Sequence, residues 1–193
     1  MAVALGTACP LHATNLLENG HFTSGITHWR GDGKAPADFA PNNPFDKPDP
    51  FVAEGLIVPL KHRDWTKVAQ DFTGVADTDL TLIIKYKLSE HLAFSKRDDD
   101  YGYAMPDPAG NYNSAMKGQW SVFVTNLDNN NETFVPVTPK SHGKDKDVMT
   151  VHAKVSGLSS HHANTITLEF PPGEGTVVIL SVVLGKNVKA DEP

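Results

Sequence analysis

The chain is short of cysteine, of positive charge and of long apolar runs, and each shortage closes a class of explanation. Cys9 is the one cysteine, so no intrachain disulfide staples the fold, and cysteine usage carries no sign of an oxidising compartment. The formal net charge is −6, which removes the electrostatic footprint of a nucleic-acid binder and excludes nucleic acid as the main partner. The apolar stretch at 1–13, MAVALGTACPLHA, is too short to cross a bilayer, and no membrane span is expected. No amphipathic helical period and no internal repeat is present. A Gly-x-Ser-x-Gly elbow, a P-loop and a dinucleotide fingerprint are all missing.

What is present is turn residues and alternation. Fourteen Pro and fifteen Gly suit many short strands joined by turns. Residues 55–60, 65–72, 80–89, 120–126, 133–137, 150–155, 166–170 and 176–184 read as strands. In 65–72, Val68, Gln70 and Phe72 share one face, and Lys67, Ala69 and Asp71 the other. In 80–89, Leu80, Leu82, Ile84, Tyr86 and Leu88 form the buried face, and Thr81, Ile83, Lys85, Lys87 and Ser89 the wet one. Trp120, Val122 and Val124 likewise fall together, as do Val151, Ala153 and Val155. Residues 127–132, LDNNNE, read as a hairpin turn, and 176–184 as a continuous apolar strand with a central place in its sheet. The stretch 15–22 reads as an entering strand that reverses at Asn19-Gly20, with Trp29 as a core anchor. The expected fold class is all-β, an antiparallel β-sandwich, over a single domain at 14–187. Residues 188–193 are expected to be a C-terminal tail, with fraying from 187. Residues 1–13 end in Leu-His-Ala, a small-residue cleavage pattern, but lack a basic start. They are expected to be a truncated export-signal remnant or a disordered tail, and export predicts a secreted or periplasmic location.

Two long irregular stretches interrupt this pattern. Residues 34–54 carry Pro36, Pro41, Pro44, Pro48 and Pro50, which cannot donate to a ladder, with Phe39, Phe45 and Phe51 as pins. Residues 90–119 hold Lys96-Arg97-Asp98-Asp99-Asp100 and then Tyr101, Tyr103 and Tyr112. Loops of this length inside a compact domain are commonly functional. Arg30-Gly31-Asp32 is read as a polar turn, because a tripeptide recurs by chance.

The run NLLENGHFTSGITHW at 15–29 resembles the N-terminal signature of carbohydrate-binding modules of the galactose-binding-like jelly-roll superfamily. His21 and Thr23 stand where that signature has acidic residues. WTKVAQDFTGV at 65–75 and NTITLEFPPGEGTVVILSVVL at 164–184 resemble an early strand and the last two strands of the same family. The resemblance implies a galactose-binding-like jelly roll and a carbohydrate partner. It also implies a structural calcium ion between the first and final strands, for which oxygen ligands are required. Glu18 matches the N-terminal contributor, whereas Leu180 and Ser181 replace the acidic pair near the end, so no cofactor is firmly implied.

A sugar ring presents a face of C–H bonds to an aromatic side chain, and neighbouring polar groups take its hydroxyls. Trp65, Tyr101, Tyr103 and Tyr112 are the candidate platforms, with Gln70, Arg97 and Asn111 as polar partners. The alternative is that Trp65 packs on a strand edge and the tyrosines pin their own loop. Nine histidines include the adjacent His161 and His162, which on a strand face opposite ways and cannot share a metal. Glu54, Glu90, Asp98, Glu169 and Glu174 are each eligible as half of a hydrolytic carboxylate pair, and Tyr101, His91 and Arg97 as lyase residues, but spacing selects none. The expected function is non-catalytic polysaccharide or glycan binding by an exported bacterial module. A structural or adhesive contact with another protein, and a small lyase or hydrolase, are the alternatives.

Overall fold

The computed structural model describes residues 15–35, 55–73, 80–88, 119–137 and 148–188, and the backbone of 93–94. The strands in chain order are β1 (Arg30–Gly31), β2 (Leu56–Pro59), β3 (Thr66–Phe72), β4 (Leu80–Leu88), β5 (Ala93–Phe94) and β6 (Trp120–Asn126). They continue with β7 (Glu132–Val137), β8 (Met149–Val155), β9 (Asn164–Phe170), β10 (Gly173–Glu174) and β11 (Thr176–Gly185). Every pairing among the described residues is antiparallel. A five-stranded sheet runs β1-β3-β9-β6-β7, a four-stranded sheet runs β2-β11-β4-β8, and β10 with β5 forms a two-stranded ribbon. Among the described residues, no helix is long and apolar enough to cross a membrane.

The alternation read from the sequence becomes the core. Val68, Phe72, Val122, Val124, Ile166, Leu168 and Phe170 from one sheet meet Leu56, Val58, Leu82, Ile84, Tyr86, Val177, Ile179 and Val182 from the other. Each such side chain contributes about 1.5–3 kcal/mol on burial, so this single contact layer makes the architecture a β-sandwich. Strand β11 lies between β2 and β4, the central place its apolar run requires. Its register slips by one residue between Ile179 and Ser181.

Four sequence expectations are corrected. The stretch 15–22 contains no strand: Asn19 and Phe22 have φ of 48° and 55°, so the chain coils in turns. Leu17, Phe22 and Trp29 still plug the core, with Phe22 and Trp29 rings 5.4 Å apart. Ile83, placed on the wet face, is buried against Val183 and Val188. Val188 belongs to the segment expected to fray, and it folds back over the outward side of the four-stranded sheet because two apolar side chains there need cover. Arg30-Gly31 is an edge strand rather than a turn, pairing with Val68 and Ala69.

The coil at 15–22 is clasped to β11 by hydrogen bonds. Leu16 N donates to Leu184 O (2.8 Å), Val182 N to Gly20 O (2.7 Å), Asn15 Nδ2 to Val182 O (3.2 Å) and Leu184 N to Asn15 Oδ1 (2.9 Å). Gly20 is required here by space, since a Cβ would sit 2.3 Å from Val182 O.

At the end of the sandwich bearing the β6–β7 turn, side chains tie that turn to residues 157–164. Asn126 Nδ2 donates to Gly157 O (2.9 Å), and Asn164 exchanges bonds with Ser159 through Oδ1 (2.8 Å) and Nδ2 (3.0 Å). Asp128 accepts from the Ser159 hydroxyl and pairs with His162 Nδ1 at 2.6 Å. His161 and His162 lie in this bend and not on a strand, which corrects the opposite-faces reading. The Ser159 hydroxyl bond, then His162, hold the Asp128 carboxyl below its ordinary value. A depressed carboxylate contributes stability above its unfolded pKa and loses it as pH falls through the folded one. Asp128→Ala is therefore expected to lower Tm by up to a few degrees at neutral pH, since the site is exposed. In melts taken from pH 6 to pH 2, the gap from wild type should close below about pH 4. A gap that persists at pH 2 would show a packing effect instead.

Candidate glycan-binding face and rim

The outward face of the five-stranded sheet is laid out by register. One rung holds Lys67, Glu169, Ser121 and Pro136; the next holds Arg30, Ala69, Thr167, Phe123 and Phe134; the third holds Asp71, Thr165, Thr125 and Glu132. Strands lie about 4.8 Å apart, so the middle rung runs roughly 19 Å across the sheet. Its centre is small (Ala69, Thr167) and one end is aromatic, with Phe123 and Phe134 rings 5.3 Å apart and tilted by 43°. Both phenylalanines are partly exposed.

Charged pairs border this strip. Lys67 Nζ reaches Glu169 at 3.0 Å, and Glu169 is only 10% exposed. Arg30 Nη2 meets Asp71 Oδ1 at 2.8 Å, and the Thr165 hydroxyl donates to the same oxygen. Arg30 holds the Asp71 carboxyl below its usual range, against the upward push of partial burial. Glu132 receives only the Thr125 hydroxyl, at 3.2 Å, among the described residues. Partial desolvation pushes its pKa up and the Glu169 charge adds to the push, while Thr125 works against it. Asp32, the acid of the Arg-Gly-Asp triplet, is committed to Lys61 Nζ (2.7 Å) and to the Lys67 amide (3.0 Å).

The residues proposed from sequence fall in different places. Tyr101, Tyr103, Tyr112, Arg97 and Asn111 lie outside the described residues. Trp65 stands at the rim immediately before β3, partly exposed, with its indole N–H buried and without an acceptor among the described residues. Gln70 is corrected from a ligand group to a clasp. It is 2% exposed, accepts from Glu18 N (2.9 Å) and donates to Glu18 O (2.8 Å). Its parity with Val68 and Phe72 already pointed it inward, and an inward amide needs partners inside the protein.

Glu18, the expected calcium contributor, is exposed and pairs with His28 Nδ1 at 2.8 Å. The carbonyls nearest the final strand are already used, Gly20 O by Val182 N and Val182 O by Asn15. No group of three or more His, Cys, Asp or Glu side chains converges among the described residues. The donor set around Glu18 therefore does not fit a calcium site, and hydrogen bonds join the first segment to β11.

Sequence reasoning missed Phe123, Phe134, Thr125 and Glu132. The signal was available: both phenylalanines sit at wet parity, and counting back equally from the turn at 127–130 pairs them. The contributions of β3 and β9 had no local signal.

No protein-family model and no curated protein sequence matches the chain. Solved structures do. TmCBM61 in complex with beta-1,4-galactotriose aligns at TM-score 0.50 and 13% identity, over 90% of this chain and 99% of its own. A family 16 carbohydrate-binding module aligns at 0.50 and 12%, over 89% and 100%. The enzymatically active domain of tailspike protein 4 from bacteriophage CBA120 aligns at 0.50 and 10%, over 89% of this chain and 21% of its own. At such identities the likeness is one of fold, and the chain is a β-sandwich of the architecture found in carbohydrate-binding modules.

Proposed function

We propose that this chain is a non-catalytic glycan-binding module, exported to the periplasm or the medium, that receives a polysaccharide on the outward face of its five-stranded sheet. The observation that carries this reading is the strip of Phe123 and Phe134 continued by Thr167 and Ala69, with hydroxyls and charged pairs on both sides. The aromatic end stacks a ring face, and the flanking Thr, Asp, Glu, Arg and Lys groups take hydroxyls. The fold shared with carbohydrate-binding modules supports it. Export draws its support from the apolar 1–13 segment alone.

Affinity electrophoresis against a panel of neutral, acidic and amine-bearing polysaccharides tests it. The double variant Phe123→Ala/Phe134→Ala is expected to lose about 2 kcal/mol, roughly thirtyfold in affinity. Leu127→Ser, at the exposed β6–β7 turn, should bind as wild type. A second reading places the site at the rim, because Trp65 offers a partly exposed ring there. Loss of binding in Trp65→Ala but not in the phenylalanine variant selects the rim. Retention of no polysaccharide, or full binding by both variants, defeats the whole proposal.

A further inference from the structure

The outward face is not electrically balanced, and the imbalance sits at one point. Its described residues carry three carboxylates, Asp71, Glu169 and Glu132, against two cations, Arg30 and Lys67. Arg30 is spent on Asp71 and Lys67 on Glu169. Glu132 has the Thr125 hydroxyl and, among the described residues, no cation. It is also the carboxylate at the aromatic end: Glu132 and Phe134 are two residues apart on one face of β7, about 7 Å along the strand, and Phe123 pairs with Phe134. A carboxylate without a counter-charge among the described residues and the faces of two phenylalanines attract the same kind of group, a cation carried on an apolar frame.

We infer that Glu132 is a specificity-determining residue, and that the glycan held on this strip carries a free amine, as a hexosamine does, with its ring on Phe123 and Phe134 and its ammonium at the Glu132 carboxylate. This rests on the sheet-face reading above and names its ligand class. The raised pKa of Glu132 agrees with this, since partial burial and, less strongly, the Glu169 charge disfavour the anion more than the Thr125 hydroxyl favours it. An anionic glycan would meet this surplus carboxylate and be repelled.

The probes are a chitosan oligosaccharide with free amines, its fully N-acetylated counterpart, and the neutral polysaccharide panel. Wild-type protein is expected to bind the free-amine chain about fivefold more tightly than the acetylated one at low salt. That preference should shrink as salt is raised through about 0.5 M. Glu132→Gln, at an exposed position, should melt like wild type and bind both chains equally. Equal binding by the wild type, or a preference that survives Glu132→Gln, overturns the inference. So does retention of neutral glycans with neither chitosan form bound, and the sheet-face reading then stands without it. If neither chitosan form nor any neutral polysaccharide is retained, both fall.

Discussion

Trp120→Ala lowers the thermal midpoint by roughly 10–15 °C, because truncating a buried Trp costs about 3–5 kcal/mol in lost transfer energy and residual cavity. Trp120 has no exposed surface, stacks on Phe170 at 4.8 Å and meets the Tyr86 ring edge-on at 5.3 Å. It thus joins β6 and β9 of one sheet to β4 of the other. A chain of this size loses about 2–4 °C per kcal/mol. Trp120→Phe is expected to cost less than half as much. Phe keeps a ring against Phe170, and it removes a buried indole N–H. That N–H lies towards the Tyr86 hydroxyl without making a hydrogen bond of good geometry, and has no other acceptor among the described residues. An unsatisfied donor costs about 1–3 kcal/mol in the wild type, and its removal offsets much of the lost volume. Urea titrations of both variants check the pair. Equal destabilisation would mean that the Tyr86 hydroxyl satisfies the N–H after all.

Gly20→Ala is the second large effect, about 3 kcal/mol, and its origin is overpacking rather than a cavity. The added methyl would lie 2.3 Å from Val182 O and 2.5 Å from Asn15 Nδ2. The asparagine can move; the carbonyl belongs to the backbone of central strand β11 and cannot. Relief therefore means displacing the coil, which stretches the Val182 N to Gly20 O bond and the Asn15 bonds to Val182 and Leu184. Overpacking accounts for about 1–3 kcal/mol and each weakened hydrogen bond for about 1 kcal/mol. Hydrogen exchange separates this from general loosening. The Val182 and Leu184 amides should lose protection while those of β6 and β9 keep it. A uniform loss across both sheets would refute the local account.

Both effects are partly legible in the sequence. Trp120 stands at buried parity with Val122 and Val124, so its place in the core follows from period two. Gly20 follows an asparagine in a turn pattern, and φ of 48° at Asn19 agrees with that reading. What the pattern does not show is that Gly20 itself is there for room, because Val182 lies 162 residues further along the chain. Gln70 shows the same division. Its parity says inward, its chemistry suggests a ligand group, and the backbone of Glu18 decides between them. Ile83 at wet parity is buried because Val183 and Val188 arrive over it, which is a non-local event.

The candidate face divides along the same line. Phe123, Phe134, Thr125 and Glu132 sit on one hairpin, so a local turn sets their register. Arg30, Asp71, Lys67 and Glu169 join them only when β1, β3 and β9 pair alongside β6. By itself the sequence determined most of the strands, their buried faces, the hairpin and the all-β class, because alternation and turn chemistry act between near neighbours. The tertiary structure alone decided which strands lie side by side, and hence which charges find partners and which carboxylate has no cation among the described residues. Those outcomes depend on contacts between residues far apart in the chain, and no short-range pattern encodes them.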